Sequence, residues 1–148
     1  MRKMSGKPEV IISSSQKALR VPRKRLVELI GFVAAREGAR IAQVDLAVVD
    51  SGEIAGVNRR FLGHAGATDV ISFDLSDRAG AGLSAQLVVC GDVAVRQARL
   101  RGLKAQHELM LYVIHGLLHL MGYEDNSIRG GAKMHARQEE LLREFLTK

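Results

Sequence analysis

His115-Gly116-Leu117-Leu118-His119-Leu120-Met121-Gly122-Tyr123-Glu124-Asp125 is the stretch around which the rest of the chain is arranged. Ahead of it, Leu109-Met110-Leu111-Tyr112-Val113-Ile114 is apolar and free of helix breakers, which predicts a buried helix carrying both histidines. Side chains four residues apart stand on adjacent turns of one helix face, with Cβ atoms ~5–6 Å apart. His115 and His119 so placed can hold one divalent metal. Gly122 is positioned to end the helix in a left-handed C-cap and turn the chain back. That reversal can bring Asp125 to the same ion as a third ligand. Three protein ligands leave a fourth position for water, as in catalytic rather than structural zinc sites.

Each feature alone has a plainer explanation. A histidine pair at helical spacing arises often by chance, and a buried histidine is commonly a hydrogen-bonded core residue. Asp125-Asn126-Ser127 precedes a helical pattern, and all three residue types cap helices well. The combination is more specific. His, His at plus four, Gly at plus seven and a carboxylate at plus ten repeat the spacing of the metzincin motif H-E-x-x-H-x-x-G-x-x-H. Gly116, however, stands where those proteases carry their general base. The metal spacing is kept and the proteolytic base is missing.

At 148 residues, 47% hydrophobic and 26% charged, the chain has the size and composition of one globular domain, residues 1–148. No apolar run approaches the ~18–20 residues that span a membrane, so no membrane partner is expected. The opening Met1 to Pro8 is basic but lacks the apolar core of a signal peptide. Cys90 is the one cysteine, in an apolar strand-like run. It reads as a core residue and fits a reducing cytoplasm. A net charge of +6 favours an anionic partner such as nucleic acid. The cations cluster at Arg20 to Arg25, at Arg59 and Arg60, and from Arg96 to Lys104. Nothing resembles a reader of base edges, so phosphate contacts are expected. With no Trp, two Tyr and four Phe, an extended base-stacking platform is not expected.

In chain order, Glu9 to Ser13 reads as a strand. A helix follows from Pro22 to Gly38, with Leu26, Leu29, Ile30, Val33 and Ala34 at helical spacing. Ala42 to Val48 alternates as a half-buried strand. Asp50-Ser51-Gly52-Glu53 caps a short helix whose Ile54, Val57, Asn58 and Phe61 share related faces. Leu62 to Thr68 reads as a loop, Val70 to Leu75 as a strand, and Asp77 to Ser84 as a flexible turn. Leu87 to Val95 reads as a strand interrupted, by a bulge, at Gly91-Asp92. A short basic helix from about Gln97 leads into the histidine helix, which begins near Lys104. The last helix, from Ser127, sets Ile128, Met134, Leu141, Leu142 and Phe145 on one face. The expected class is α+β, with a small mixed sheet packed by helices.

Thr68-Asp69-Val70-Ile71-Ser72-Phe73 places polar groups where a loop meets a strand, and Gly91-Asp92 does the same. Locally, Asp69 reads as a turn residue and Asp92 as a solvent-facing carboxylate. Together with Asn58-x-x-Phe61 and His115-Gly116-x-Leu118-His119-Leu120-x-Gly122-Tyr123, these segments stand in the order of the YbeY family, and Met134 and Glu139 continue the match. The resemblance runs from about Ala42 to the C-terminus. It implies a zincin-like fold with the metal site on a central helix. It also implies a metal-dependent, single-strand-specific endoribonuclease of the cytoplasm, with zinc as the usual metal. The family acts in ribosomal RNA maturation, notably at the 3′ end of small-subunit RNA, and in ribosome quality control. Small-subunit proteins are therefore expected partners.

The sequence departs from the family in three places. Asp125 takes the place of the family's third histidine, with Glu124 on the adjoining acidic position. A carboxylate binds zinc, but it leaves the site one charge more negative and more open to harder metals. Leu62 replaces an arginine implicated in RNA handling, leaving Arg59, Arg60 and His64 as candidates to supply that charge. Ala67 replaces a proline ahead of Thr68. The expected substrate-binding set is Arg59, Arg60, His64, Thr68, Asp69 and Ser72. His115, His119 and Asp125 act through the metal; the general base is unassigned, with Glu124 the nearest carboxylate in sequence and a metal-bound hydroxide the alternative. Two other classes stand beside this reading. A metalloprotease lacks its base at Gly116. An RNA-binding ribosome-assembly factor, with a structural metal and little catalysis, accords with Leu62.

Overall fold

The computed structural model describes residues 7–77 and 82–148. The elements are β1 (Glu9–Ser14), α1 (Arg23–Glu37), β2 (Ile41–Val49), α2 (Ser51–Val57), β3 (Val70–Asp74), β4 (Leu83–Cys90), α3 (Gly91–Arg101), α4 (Ala105–Leu120) and α5 (Ile128–Thr147). The sheet order is β1-β2-β4-β3. β1, β2 and β4 run parallel, and β3 lies antiparallel on the edge beside β4. The described residues therefore form an α+β fold, with five α-helices on a small mixed sheet.

α4 is the centre of the packing. It touches α1, α3, α5, β3 and β4. Leu109, Met110, Leu111, Tyr112, Val113, Ile114, Leu117 and Leu118 are all buried. Burying one such side chain stabilises by about 1.5–3 kcal/mol over leaving it exposed. A helix enclosed on most sides needs no polar stripe, which is why this segment is apolar throughout. Gly116 lets α4 lie close on the sheet. A Cβ there would stand 2.9 Å from Leu87 Cδ2 and 3.3 Å from Val70 Cγ2. The base of a metalloprotease has no room at this position.

Capping follows the sequence closely at two places. Asp50 accepts from Glu53 N at 2.8 Å while Glu53 reaches back to Asp50 N, the reciprocal box expected for α2. At the end of α4, Gly122 has φ +106°, Gly122 N donates to His119 O, and Tyr123 N donates to Leu118 O at 3.1 Å. This is a Schellman reversal.

Four local expectations need correction. Leu87 to Val95 is not one bulged strand, because β4 ends at Cys90 and α3 starts at Gly91. The apolar run is continuous because strand residues Leu87 to Cys90 and helix residues Val93, Ala94 and Ala98 are all buried. Asp92 is not turned to solvent. Its Oδ2 accepts from Ser51 N at 2.7 Å and ties α3 to α2. Leu62 belongs to a single π turn, Asn58–Leu62, and the loop begins after it. Ile128 is 94% exposed, whereas Met134, Leu141, Leu142 and Phe145 form the buried face of α5. The turn expected from Asp77 to Ser84 lies partly outside the described residues. Cys90 is buried, as expected.

Candidate metal centre and the cleft beside it

His115 lies on α4 at the mouth of a cleft of about 220 Å³, shared with His119, Asp125, Ser72, Val70, Ile71 and Leu62. The helix spacing and the Gly122 reversal thus carry both imidazoles and the Asp125 carboxylate to one cavity. His115 Nδ1 is 2.9 Å from Gln138 Oε1 on α5. An amide oxygen there accepts the Nδ1 proton and leaves the Nε2 lone pair pointing away from α5. Nε2 in turn stands 3.5 Å from Asp125 Oδ2, longer than a normal N–H···O bond. Two donors about 2.1 Å from one tetrahedral zinc ion stand roughly 3.4 Å apart. The pair therefore suits a shared cation in spacing as well as in kind. His119 completes a donor set of two imidazoles and a carboxylate around the cleft. It does not close onto the pair: among the described residues, no three His, Cys, Asp or Glu side chains are gathered tightly enough to hold an ion.

The bend that carries Asp125 is braced from below. Tyr123 Oη donates to Glu37 Oε1 at 2.9 Å, and Arg137 Nε donates to Glu37 Oε2 at 2.6 Å. Arg137 Nη1 also reaches Glu140 Oε1 at 2.7 Å. Burial and the hydrogen bond to Glu37 push the Tyr123 phenol upward, so it stays a donor. Asp125 itself does not cap α5. Ser127 does, accepting from Gly130 N at 2.9 Å.

A second cleft, about 340 Å³, shares only His115 with the first. Thr68 and Asp69 line it. Asp69 Oδ1 accepts from the adjacent Val70 N at 2.7 Å, a contact one residue on rather than the two-residue reach of an Asx turn, and Asp69 also lines the cavity. Of the expected substrate-binding residues, Ser72 falls in the first cleft and Thr68 and Asp69 in the second. Arg59, Arg60 and His64 line neither and are exposed on or after the π turn that delivers Leu62. Glu124 is exposed and lines a separate cavity beside Gly122 and Lys133.

The sequence model of one family, endoribonuclease YbeY, matches residues 11–146. The chain belongs to the YbeY family. The match takes in most of β1 and all of α1, beyond the motif-bearing part of the chain. An endoribonuclease YbeY of Moorella thermoacetica is 38% identical over 128 residues, covering 79% of this chain and 82% of its own. That of Acidothermus cellulolyticus is 32% identical over 142 residues, 87% of each chain. The solution structure of TM1509 from Thermotoga maritima superposes with a TM-score of 0.62 at 26% identity, over 92% of this chain and 88% of that one. The name of the family is that of an RNA-cleaving hydrolase.

Within this YbeY chain, sequence reasoning missed Gln138, which orients His115, and the Glu37–Arg137 brace beneath Tyr123. It also missed the pairing of buried Glu108 with Arg101, which closes one side of the second cleft at 3.0 and 3.2 Å. No local motif marks these residues, because each acts across a contact between helices far apart in sequence.

Proposed function

We propose that the protein is a metal-dependent endoribonuclease that cuts single-stranded RNA. The proposed role is ribosomal RNA maturation, notably at the 3′ end of small-subunit RNA, and ribosome quality control in the cytoplasm. The fold is read as zincin-like, with small-subunit proteins as partners. The observation that carries this reading is the pair of His115 Nε2 and Asp125 Oδ2, 3.5 Å apart in one cleft with His119. His115, His119 and Asp125 would hold the ion, with zinc the metal favoured by two imidazoles and a carboxylate. Such an ion supplies Lewis acidity for hydrolysis of a phosphodiester.

The chain's own residues do the rest. Gln138 keeps the His115 Nε2 lone pair turned toward Asp125. Ser72 sets a hydroxyl on the cleft wall, within the same cavity as the donors. The turn bearing Leu62 also carries exposed Arg59 and Arg60, which offer phosphate contacts just outside the cleft. The overall charge of +6 draws the RNA strand in.

The alternative, an RNA-binding assembly factor with a structural metal and little catalysis, is favoured by one observation. Leu62, not a cation, faces the donors in the cleft. One set of measurements separates the two readings: the metal content of purified protein, and cleavage of a single-stranded RNA with and without chelator. The nuclease reading expects about one zinc per chain and chelator-sensitive cutting, both lost in His119→Ala. Bound zinc without cutting, restored to cutting by Leu62→Arg, sinks it in favour of the assembly factor. Full metal content and activity in His119→Ala sinks the site itself.

A further inference from the structure

The second cleft contains a polar group that its surroundings do not satisfy. Tyr112 is 5% exposed, and its hydroxyl is fully buried with no hydrogen-bond partner among the described residues. Burial, and then the negative charge of nearby Glu108, push its pKa far up, so it keeps its proton. Glu108 lies beside the phenol and raises it further through a side-chain contact looser than a well-formed hydrogen bond. Its two oxygens each accept from Arg101 Nη1, at 3.2 and 3.0 Å, and are turned toward that guanidinium. A buried hydroxyl left unmatched costs ~1–3 kcal/mol, so it is a donor in want of a partner that the neighbouring side chains do not supply well.

The charges around it decide what kind of ligand fits. Asp69 and Glu108 line the cleft, and Glu139 stands behind Arg101 with Oε2 3.6 Å from Nη2. Glu139 Oε2 is buried and also lacks a hydrogen bond. Against these three carboxylates stand Arg101, already committed to Glu108, and exposed His135. A phosphate, which offers only acceptors and negative charge, is repelled here. A neutral molecule presenting both N–H donors and carbonyl or imine acceptors is not. Asp69 spends one oxygen on Val70 N and leaves the other unbonded among the described residues. Leu111 supplies an apolar wall, and the volume of about 340 Å³ admits a nucleobase-sized heterocycle.

We propose that this cleft receives one unpaired nucleobase of the RNA strand, with an acceptor on the Tyr112 hydroxyl and N–H groups on the Asp69 carboxylate. Unpaired bases are read in this way, by hydrogen bonds to their edges within a pocket. Because His115 is the residue shared with the metal cleft, the base belongs to a nucleotide beside the bond that is cut. The inference rests on the nuclease reading for its RNA, but its first test does not need cleavage.

Metal-stripped full-length protein is titrated, by NMR, with each of the four ribonucleosides, with ribose and with inorganic phosphate. At least one nucleoside should bind and perturb the cleft residues, while ribose and phosphate do not. Tyr112→Phe, which removes only an unpartnered hydroxyl and so folds at least as stably, should weaken that nucleoside about fivefold. In cleavage of RNAs differing at a single base, the same variant should level the preference by a similar factor. No nucleoside bound at ~10 mM, equal binding of ribose or phosphate, or unaltered affinity in Tyr112→Phe overturns the pocket. A protein that binds nucleoside but never cuts RNA overturns the nuclease reading and leaves the pocket standing.

Discussion

Gln138 offers the sharpest check on the metal site, because it touches the candidate ligand without being one. Its Oε1 sits 2.9 Å from His115 Nδ1, where it fixes both the ring's orientation and its tautomer. Replacing it by Ala removes the acceptor, frees the ring to rotate, and lets the proton move to Nε2, the nitrogen that faces Asp125. A neutral hydrogen bond lost is ~0.5–1.5 kcal/mol. Partners behind metal-bound histidines cost about 10–100-fold in affinity when removed. The lower end is the better expectation here, because Gln138 is only half-buried and water can replace it in part. We expect Gln138→Ala to weaken zinc binding about tenfold. Gln138→Glu, which keeps an acceptor at the same reach, should bind zinc at least as well as the native protein. Gln138→Lys, which offers only donors, should bind worst. Competition of the apo-protein with a chromophoric chelator reads the affinities, and melting of the metal-free variants controls for folding. The order is the informative part. If Gln138→Ala, →Glu and →Lys all bind zinc equally, the tautomer does not matter and His115 is not a ligand through Nε2.

Other predictions concern the scaffold. Arg137→Met strands the Glu37 carboxylate, 10% exposed, with Tyr123 alone, and should cost about 2–3 kcal/mol, or ~6–10 °C in Tm. The double variant Glu37→Gln/Arg137→Met should melt higher than Arg137→Met, and the opposite order would mean the pair is a surface contact only. Gly116→Glu should fail to fold stably, since even its Cβ meets Leu87 at 2.9 Å; a folded variant with peptidase activity would refute the packing account. His107 is held below its ordinary 6.5 by burial first, then by Lys104 and Arg25. The unfolded chain therefore takes up the proton first, so stability is full above about pH 6.5 and falls as the pH drops toward the folded value. His107→Gln should flatten that acid-side fall in a melting series from pH 7 to pH 5, and an unchanged slope would remove His107 as its cause.

The histidine helix, its Gly122 reversal and the Asp50–Glu53 box were legible because each is written in residues within one or two turns of each other. Spacing alone states them. The strand-to-helix change at Gly91 was hidden for a physical reason. Cys90 is buried between strand neighbours and Val93 and Ala94 against helices, so hydrophobicity never lapses where the period changes from two to 3.6. Ile128 misled in the opposite way. It has the right character for the buried face of α5 but precedes the point where that helix meets the core, and it is left in solvent.

What could not be read at all is what depends on α5 packing against α4 and α1. Twenty-three residues separate His115 from Gln138, and a hundred separate Glu37 from Arg137. Both contacts act on the same short segment. One sets the His115 ring and the other holds Tyr123, two residues before Asp125. In the proposed site the Asp125 side chain, shorter than a histidine, reaches the ion only where the bend that carries it is held. The Glu37 brace does that holding, from residues outside the motif. The proposed site, with candidate ligands that are local in sequence, thus depends on supports that are not. Damage to the brace should therefore displace Asp125 while leaving His115 and Gln138 in place.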